Sequence, residues 1–259
     1  MSRLLLVDGT NLVMRYAFAM APQFVKEPEN PAAPETVARV ASACVTAVRD
    51  CADVAMCSHV VVALDSHDSW RKELYPDYKL GRSVSTRVWS AHFAAECERR
   101  SVHAVRSDGY EADDVIATLA RRASESARSC AVLSSDSDLL VLATESCDVY
   151  QFGRGDEPRF IKRSSEWIAS KYGIATAGHL HALKAIAGES GDNLPGLDGY
   201  GPVKARRLLE RWGTVEALLQ SCALTQAQHE RLTLMLNLVR LRDDAPIPAI
   251  SSAECRIAA

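Results

Sequence analysis

LLLVD, residues 4–8, sets four apolar residues in a row and closes them with an aspartate. A short, continuous run of this kind, rich in branched side chains, suits a strand buried on both faces. Two further runs repeat the pattern, VVVALD at residues 60–65 and AVLSSDSD at 131–138. VHAV (102–105) and DVYQF (148–152) are weaker strand candidates. Between them lie helical patterns: 35–55, where Val37, Val40, Ala41, Val45 and Val48 form one stripe, then 88–100 and 113–127. Strands alternating with helices predict an α/β fold, a mostly parallel central sheet with helices on both faces. From about Glu166 the strand signals stop. The chain therefore divides into an α/β core over 1–165 and a helical C-terminal region over 166–259.

The composition agrees with a folded chain in a reducing compartment. With 259 residues, 47% hydrophobic and 24% charged, it can bury one large core or a core with a satellite. Its eight cysteines, at 44, 51, 57, 97, 130, 147, 222 and 255, form no CxxC pair and no regular ligand spacing. They read as buried, reduced thiols of a cytoplasmic protein, not as a disulfide framework or zinc site. The apolar run before Asp8 is only four residues long, and no later run reaches membrane length.

Each confident strand ends on aspartate: Asp8, Asp65, then Asp136 and Asp138. In open α/β sheets ligands bind beyond the carboxyl ends of the strands, so these side chains converge on one edge. GYEADDVIATLA, residues 109–120, starts a helix at the same edge with Glu111, Asp113 and Asp114. Alone, EADD is an ordinary acidic first turn, favoured by the partial positive charge of a helix N-terminus. Together with the strand-end acids it places six or seven carboxylates in one crevice, where they repel by several kcal/mol at low effective dielectric. Bound cations relieve that repulsion, and oxygen donors without His or Cys suit Mg²⁺ or Mn²⁺. An aspartyl-nucleophile phosphatase needs a second Asp two residues after Asp8, where Thr10 stands. No Walker-type loop or GxGxxG follows the first strand either. Two clustered metals, as used in phosphodiester hydrolysis, remain.

AGESGDNLPGLDGYGPVKARRLLERWGTVEALL, residues 187–219, carries Gly196, Gly199 and Gly201, then a helix with Lys204, Arg206, Arg207 and Arg211. A Gly-rich turn lets backbone approach closely, and the following helix start can bind phosphate. A hairpin of this kind over about 187–211 grips a nucleic-acid backbone without reading bases.

DGTNLVMRYAFA, LDSHDSWRKELYPDYKLGR, GYEADDVIATLA, SSDSDLLVL and GESGDNLPGLDGYGPVKARRLL, taken in this order, resemble the bacterial and phage 5′ nucleases: flap endonucleases and the 5′-3′ exonuclease domain of bacterial DNA polymerase I. The similarity covers nearly the whole chain. It implies a PIN/5′-nuclease-like core, a helix-three-turn-helix motif and a stand-alone, monomeric 5′ nuclease acting on DNA with 5′ flaps or 5′ ends. It also implies nine metal ligands: Asp8, Asp65, Glu111, Asp113, Asp114, Asp136, Asp138, Glu189 and Asp192. Lys79 is then expected to polarise the scissile phosphate, Arg82 to hold a neighbouring phosphate, and Tyr78 to stack on the terminal base. Arg15 and Arg71 would hold the DNA backbone. Two or more Mg²⁺ or Mn²⁺ ions are the implied cofactors, and some relatives add a potassium ion at the hairpin. The interval from Lys79 to Glu111 is short, predicting a compact arch over about 79–101.

Three positions depart from the family's pattern. Glu189 stands where Asp is usual, Gly191 replaces Ser or Ala, and Val203 sits where many members place Lys, with Lys204 one step later. The net charge of −3 is compatible with DNA. Setting aside the nine implied ligands leaves 24 of the 33 acids against 30 basic residues, a basic remainder of +6. Two competing functions are a catalytically weak branched-DNA-binding protein of the same fold and an acid-cluster ribonuclease. The first would be favoured by a lost carboxylate, and none is lost; the second does not need the Gly-rich hairpin.

Overall fold

The computed structural model of the chain describes residues 3–22, 33–81, 86–251 and 253–257. Six strands form one sheet: β1 (Leu4–Asp8), β2 (His59–Leu64), β3 (His103–Arg106), β4 (Cys130–Leu133), β5 (Cys147–Phe152) and β6 (Phe160–Arg163). Their spatial order is β3-β2-β1-β4-β5-β6, with every neighbouring pair parallel except β5–β6. The antiparallel β6 was not visible in the sequence, because FIKR is only four residues long and alternates poorly.

Both faces of the sheet are covered, as the continuous apolar runs require. Leu5 and Val7 of β1 point into one apolar cluster with Val60 and Val62 of β2 and Ala131 and Leu133 of β4. Helices α1 (Gly9–Met20), α2 (Pro34–Val54) and α4 (Arg87–Arg99) close that face with Leu12, Val40, Val48 and Phe93. Leu6, Val61, Val132 and Val149 point the other way, into a cluster with Val115, Ile116 and Leu119 of α5 (Ala112–Glu125). A short helix, α3 (Trp70–Leu74), lies between β2 and α4. The C-terminal helices are α6 (Ser165–Tyr172), α7 (Leu180–Ala187), α8 (Pro202–Trp212), α9 (Val215–Gln220) and α10 (Gln226–Val239). Their buried residues Leu180, Ile186, Leu209, Leu218 and Met235 join the same cluster as the second sheet face. The helical region thus extends the core of the sheet.

The turn from β1 into α1 leaves no room for a side chain. A Cβ on Gly9 would lie 2.6 Å from Val62 Cγ1 and 2.7 Å from the Ala63 carbonyl oxygen. Gly9 therefore lets α1 start directly against β2, and this fixes Asp8 at the sheet edge. Among the described residues no helix is long and apolar enough to cross a membrane.

Candidate active site

Strand ends and helix starts meet along the carboxyl edge of the sheet, and there the acids gather. Asp8, the last residue of β1, is 4% exposed. The Asn11 N–H donates to its Oδ1 at 2.9 Å, capping α1, and the Ser134 hydroxyl donates to its Oδ2 at 2.7 Å. Asp65 follows β2 directly. Its backbone N–H donates to Thr10 Oγ1 at 2.9 Å, and its Oδ1 accepts from the Ala112 N–H at 2.8 Å, tying β2 to the start of α5. Asp136 and Asp138 lie in the turn beyond β4. The Asp136 N–H donates to Ser134 Oγ, and the Asp138 N–H to Asp136 Oδ1, both at 3.0 Å. Two triplets could each hold a cation, Asp113–Asp136–Asp138 and Asp138–Glu189–Asp192. In each, one oxygen per residue falls within 4.8 Å of the others.

Burial and mutual repulsion raise the proton affinity of four of these acids, Asp8, Asp65, Asp113 and Asp138. Desolvation, with Asp65 and Asp136 adding to it, lifts Asp8 to about 7 despite its hydrogen bonds. Burial also lifts Asp138 to about 7, although Lys184 opposes it. Asp113 is pushed well above the usual range by burial and then by Asp8, Asp136 and Asp138, and burial raises Asp65 too. Glu111 behaves differently. Burial acts to raise it, but the ammonium of Lys79 and the guanidinium of Arg71 hold it below the ordinary value. A crowd of hard oxygen donors, with no thiol or imidazole in either triplet, fits divalent cations.

The pH dependence of stability follows. In metal-stripped protein, Asp8 and Asp138 keep protons up to about 7 when folded. Unfolded, they release them near 3.8. The folded state binds more protons between those values, so stability falls as pH rises from about 4 through 7. The melting temperature in chelator is expected to be higher at pH 5 than at pH 8. Added Mg²⁺ should restore it at pH 8, where Asp8 and Asp138 are ionised. A melting temperature that rises with pH in chelator would contradict this.

Not every implied ligand joins the cluster. Asp114 is fully buried and turned away. Its carboxylate accepts from Arg71 at 2.7 and 2.8 Å, from Trp70 Nε1 at 3.1 Å and from the Arg242 N–H at 2.9 Å. With these partners, Asp114 acts as a tie between α3, α5 and the segment after α10. Arg71 is buried with it. It is 3% exposed and also donates to the carbonyls of Leu238 and Arg240, so it has no face for a DNA phosphate. Removing one partner strands the other charge in the core, so Asp114→Ala should cost about 3–5 kcal/mol in urea unfolding. A loss below about 1 kcal/mol would show that Arg71 reaches water without it.

Tyr78 is also displaced from its expected role. Its ring is 3% exposed, and its hydroxyl lies 3.1 Å from Glu111 Oε2 and 3.2 Å from Asp192 Oδ2. A buried ring bonded to two carboxylates is not available for stacking on a base. Lys79 does reach the cluster: its Nζ donates to Glu111 Oε2 at 2.8 Å. Its backbone is left-handed at φ 54°, a conformation costing about 1 kcal/mol. The Lys79 N–H donates to the Asp192 carbonyl at 3.1 Å, and Asn193 Nδ2 donates to the Asp77 carbonyl at 3.1 Å. The turn bearing Asp192 therefore holds the segment 77–79. Arg82 lies outside the described residues. Arg15 is exposed, with its guanidinium 4.5 Å from the Phe152 ring centroid.

The Gly-rich connection divides its glycines between two tasks. Gly196 is buried at φ 66°, and a Cβ there would meet Gly188 N at 2.3 Å. It serves a backbone crossing instead of facing a ligand. Gly199 and Gly201 are exposed with open space around them, next to the exposed Lys204 and Arg207. Arg206 is half-buried and donates to the Tyr172 carbonyl at 3.3 Å. Of the three departures, Gly191 has open space and Val203 is exposed, so neither disturbs packing. Glu189 directs its Oε1 to Lys184 Nζ at 2.8 Å. Lys184, which sequence reading passed over, also donates to Asp138. Within LHALKAIA it looks like a lysine snorkelling from an apolar helix, and no local signal marks it otherwise.

Residues 3–173 match the family model described as 5′-3′ exonuclease, N-terminal resolvase-like domain. The chain is 30% identical to DNA polymerase I of Rhizobium leguminosarum over 94% of its own length and 25% of the relative's. It is also 30% identical to Flap endonuclease Xni of Shewanella oneidensis, over 95% of this chain and 92% of that one. The chain thus spans about a quarter of the polymerase relative but nearly all of the flap endonuclease. Bacteriophage T5 5′-exonuclease superposes with a TM-score of 0.73 at 22% identity, covering 93% of this chain and 89% of that one.

Proposed function

The chain belongs to the 5′-3′ exonuclease family, and from that premise we propose that it is a divalent-metal-dependent 5′ nuclease. It hydrolyses phosphodiester bonds in DNA bearing 5′ flaps or 5′ ends, as a monomer in the cytoplasm. The observation that carries the reading is the gathering of eight carboxylates, all nine implied ligands except Asp114, beside Lys79 on the edge that the Gly-rich connection adjoins. Asp8, Asp65, Glu111 and Asp113 would hold one ion. Asp136, Asp138, Glu189 and Asp192 would hold a second. Held there, divalent ions would supply a lowered water pKa and charge stabilisation at the leaving oxygen. Lys79, released from Glu111 when a phosphate enters, supplies positive charge to the phosphoryl oxygens. Gly199, Gly201, Lys204 and Arg207 offer exposed N–H groups and cations to the duplex backbone without reading its sequence.

End-labelled 5′-flap, nicked and blunt duplexes, incubated with Mg²⁺, with Mn²⁺ and with chelator, test the proposal. Flap cleavage that chelator abolishes is the expected result. Undiminished cleavage in excess chelator rules out the metal reading. Tight flap binding without cleavage under either ion favours the branched-DNA-binding protein.

A further inference from the structure

The two halves of the carboxylate cluster are not equivalent, and Lys184 makes the difference. Its side chain is one-tenth exposed, and its Nζ donates both to Asp138 and, at 2.8 Å, to Glu189 Oε1. Those two acids, with Asp192, form one of the two candidate cation triplets. A tethered ammonium therefore sits among the oxygens that a second divalent ion would use. Around Asp8 and Asp113 the bonded partners are different: Asn11 and Ser134 hold Asp8, and Asp113 feels chiefly other carboxylates. The lysine on that side, Lys79, is bonded to Glu111 instead.

Like charges at close range in a poorly hydrated pocket repel strongly. An ion entering among Asp138, Glu189 and Asp192 must displace Lys184 from two carboxylates or share them with it. An ion near Asp8 and Asp113 meets one ammonium, that of Lys79, bonded to a single carboxylate, Glu111, whereas Lys184 is bonded to two. Glu189 reaches the ammonium directly, at 2.8 Å.

Building on the two-ion reading, we propose that Lys184 is a built-in competitor for the second divalent ion. It holds Asp138 and Glu189 in place in the free chain and makes the second ion bind more weakly than the first. Lys184 is a positioning residue here, acting through the two carboxylates.

Mn²⁺ titration without DNA, followed by calorimetry and by the spin-resonance signal of free Mn²⁺, tests this. The unaltered chain should bind one ion tightly and a second at least tenfold more weakly. Lys184→Met, which keeps the length and removes the charge, should tighten the second ion tenfold or more, whereas Lys184→Arg should leave it weak. The Lys184→Met chain should also melt lower in chelator and gain more from Mn²⁺ than the parent, because its carboxylates have lost their internal counter-ion. A Lys184→Met chain that folds only with Mn²⁺ supports the proposal for the same reason. Two equally tight ions in the unaltered chain overturn it whatever the variants do, and so does a second ion left unchanged by Lys184→Met. Flap cleavage measured in parallel separates the failures. Cleavage with two equal ions removes the role of Lys184 alone, whereas no bound ion and no cleavage removes the two-ion reading as well.

Discussion

Asp113→Asn is expected to lower the single-turnover rate of flap cleavage by three orders of magnitude or more, and to raise the stability of the metal-stripped protein. Asp113 sits in the first turn of α5 and contributes to the triplet with Asp136 and Asp138. An amide keeps the shape of the side chain but removes the charge that a hard cation needs. The stability gain has a separate cause. Burial and then the charges of Asp8, Asp136 and Asp138 act against ionised Asp113, and the neutral amide is free of that cost. Rate and melting temperature in chelator should therefore move in opposite directions. A general packing defect would lower both, and a variant that cleaves at the parental rate would remove Asp113 from the metal site.

Lys79→Ala should lower the single-turnover rate about a hundredfold or more, with a much smaller change in DNA affinity. Charge placed where negative charge develops acts mainly on the transition state. Lys79 is well placed for this: its Nζ is bonded at the cluster, 2.8 Å from Glu111, on backbone held by the Asp192 carbonyl. The comparison that decides is the rate at saturating DNA against the dissociation constant in Ca²⁺. If affinity collapses while the saturated rate holds, Lys79 is a backbone contact only. Loss of the ammonium also leaves Glu111 and Asp65 less compensated, since Lys79 favours the ionised form of both. The variant should accordingly need a higher pH to reach its own maximal rate.

Local pattern sufficed for the parallel part of the sheet and for its acidic edge, though not for the antiparallel β6. Continuous branched runs closed by Asp8, Asp65 and the SSDSD turn can be satisfied only by strands covered on both faces, and parallel strands bring their carboxyl ends to one side. The converging carboxylates followed from that topology alone, as did the helix start at EADD. What each side chain does at that edge was decided by tertiary structure. Glu111, Asp113 and Asp114 are near neighbours in the chain, yet a helix turns about 100° per residue, so they face different surroundings. Asp113 faces the other acids. Asp114 faces Trp70 and Arg71, 44 and 43 residues away, and Arg242, 128 residues away. Lys184 meets Asp138 across 46 residues. Arg71 reads as a surface cation until α10 and the segment after it bury it. Local pattern fixes periodicity and strand ends because neighbouring residues cause them. Whether a charge becomes a ligand, a tie or a competitor depends on partners that only the folded chain brings within hydrogen-bond reach.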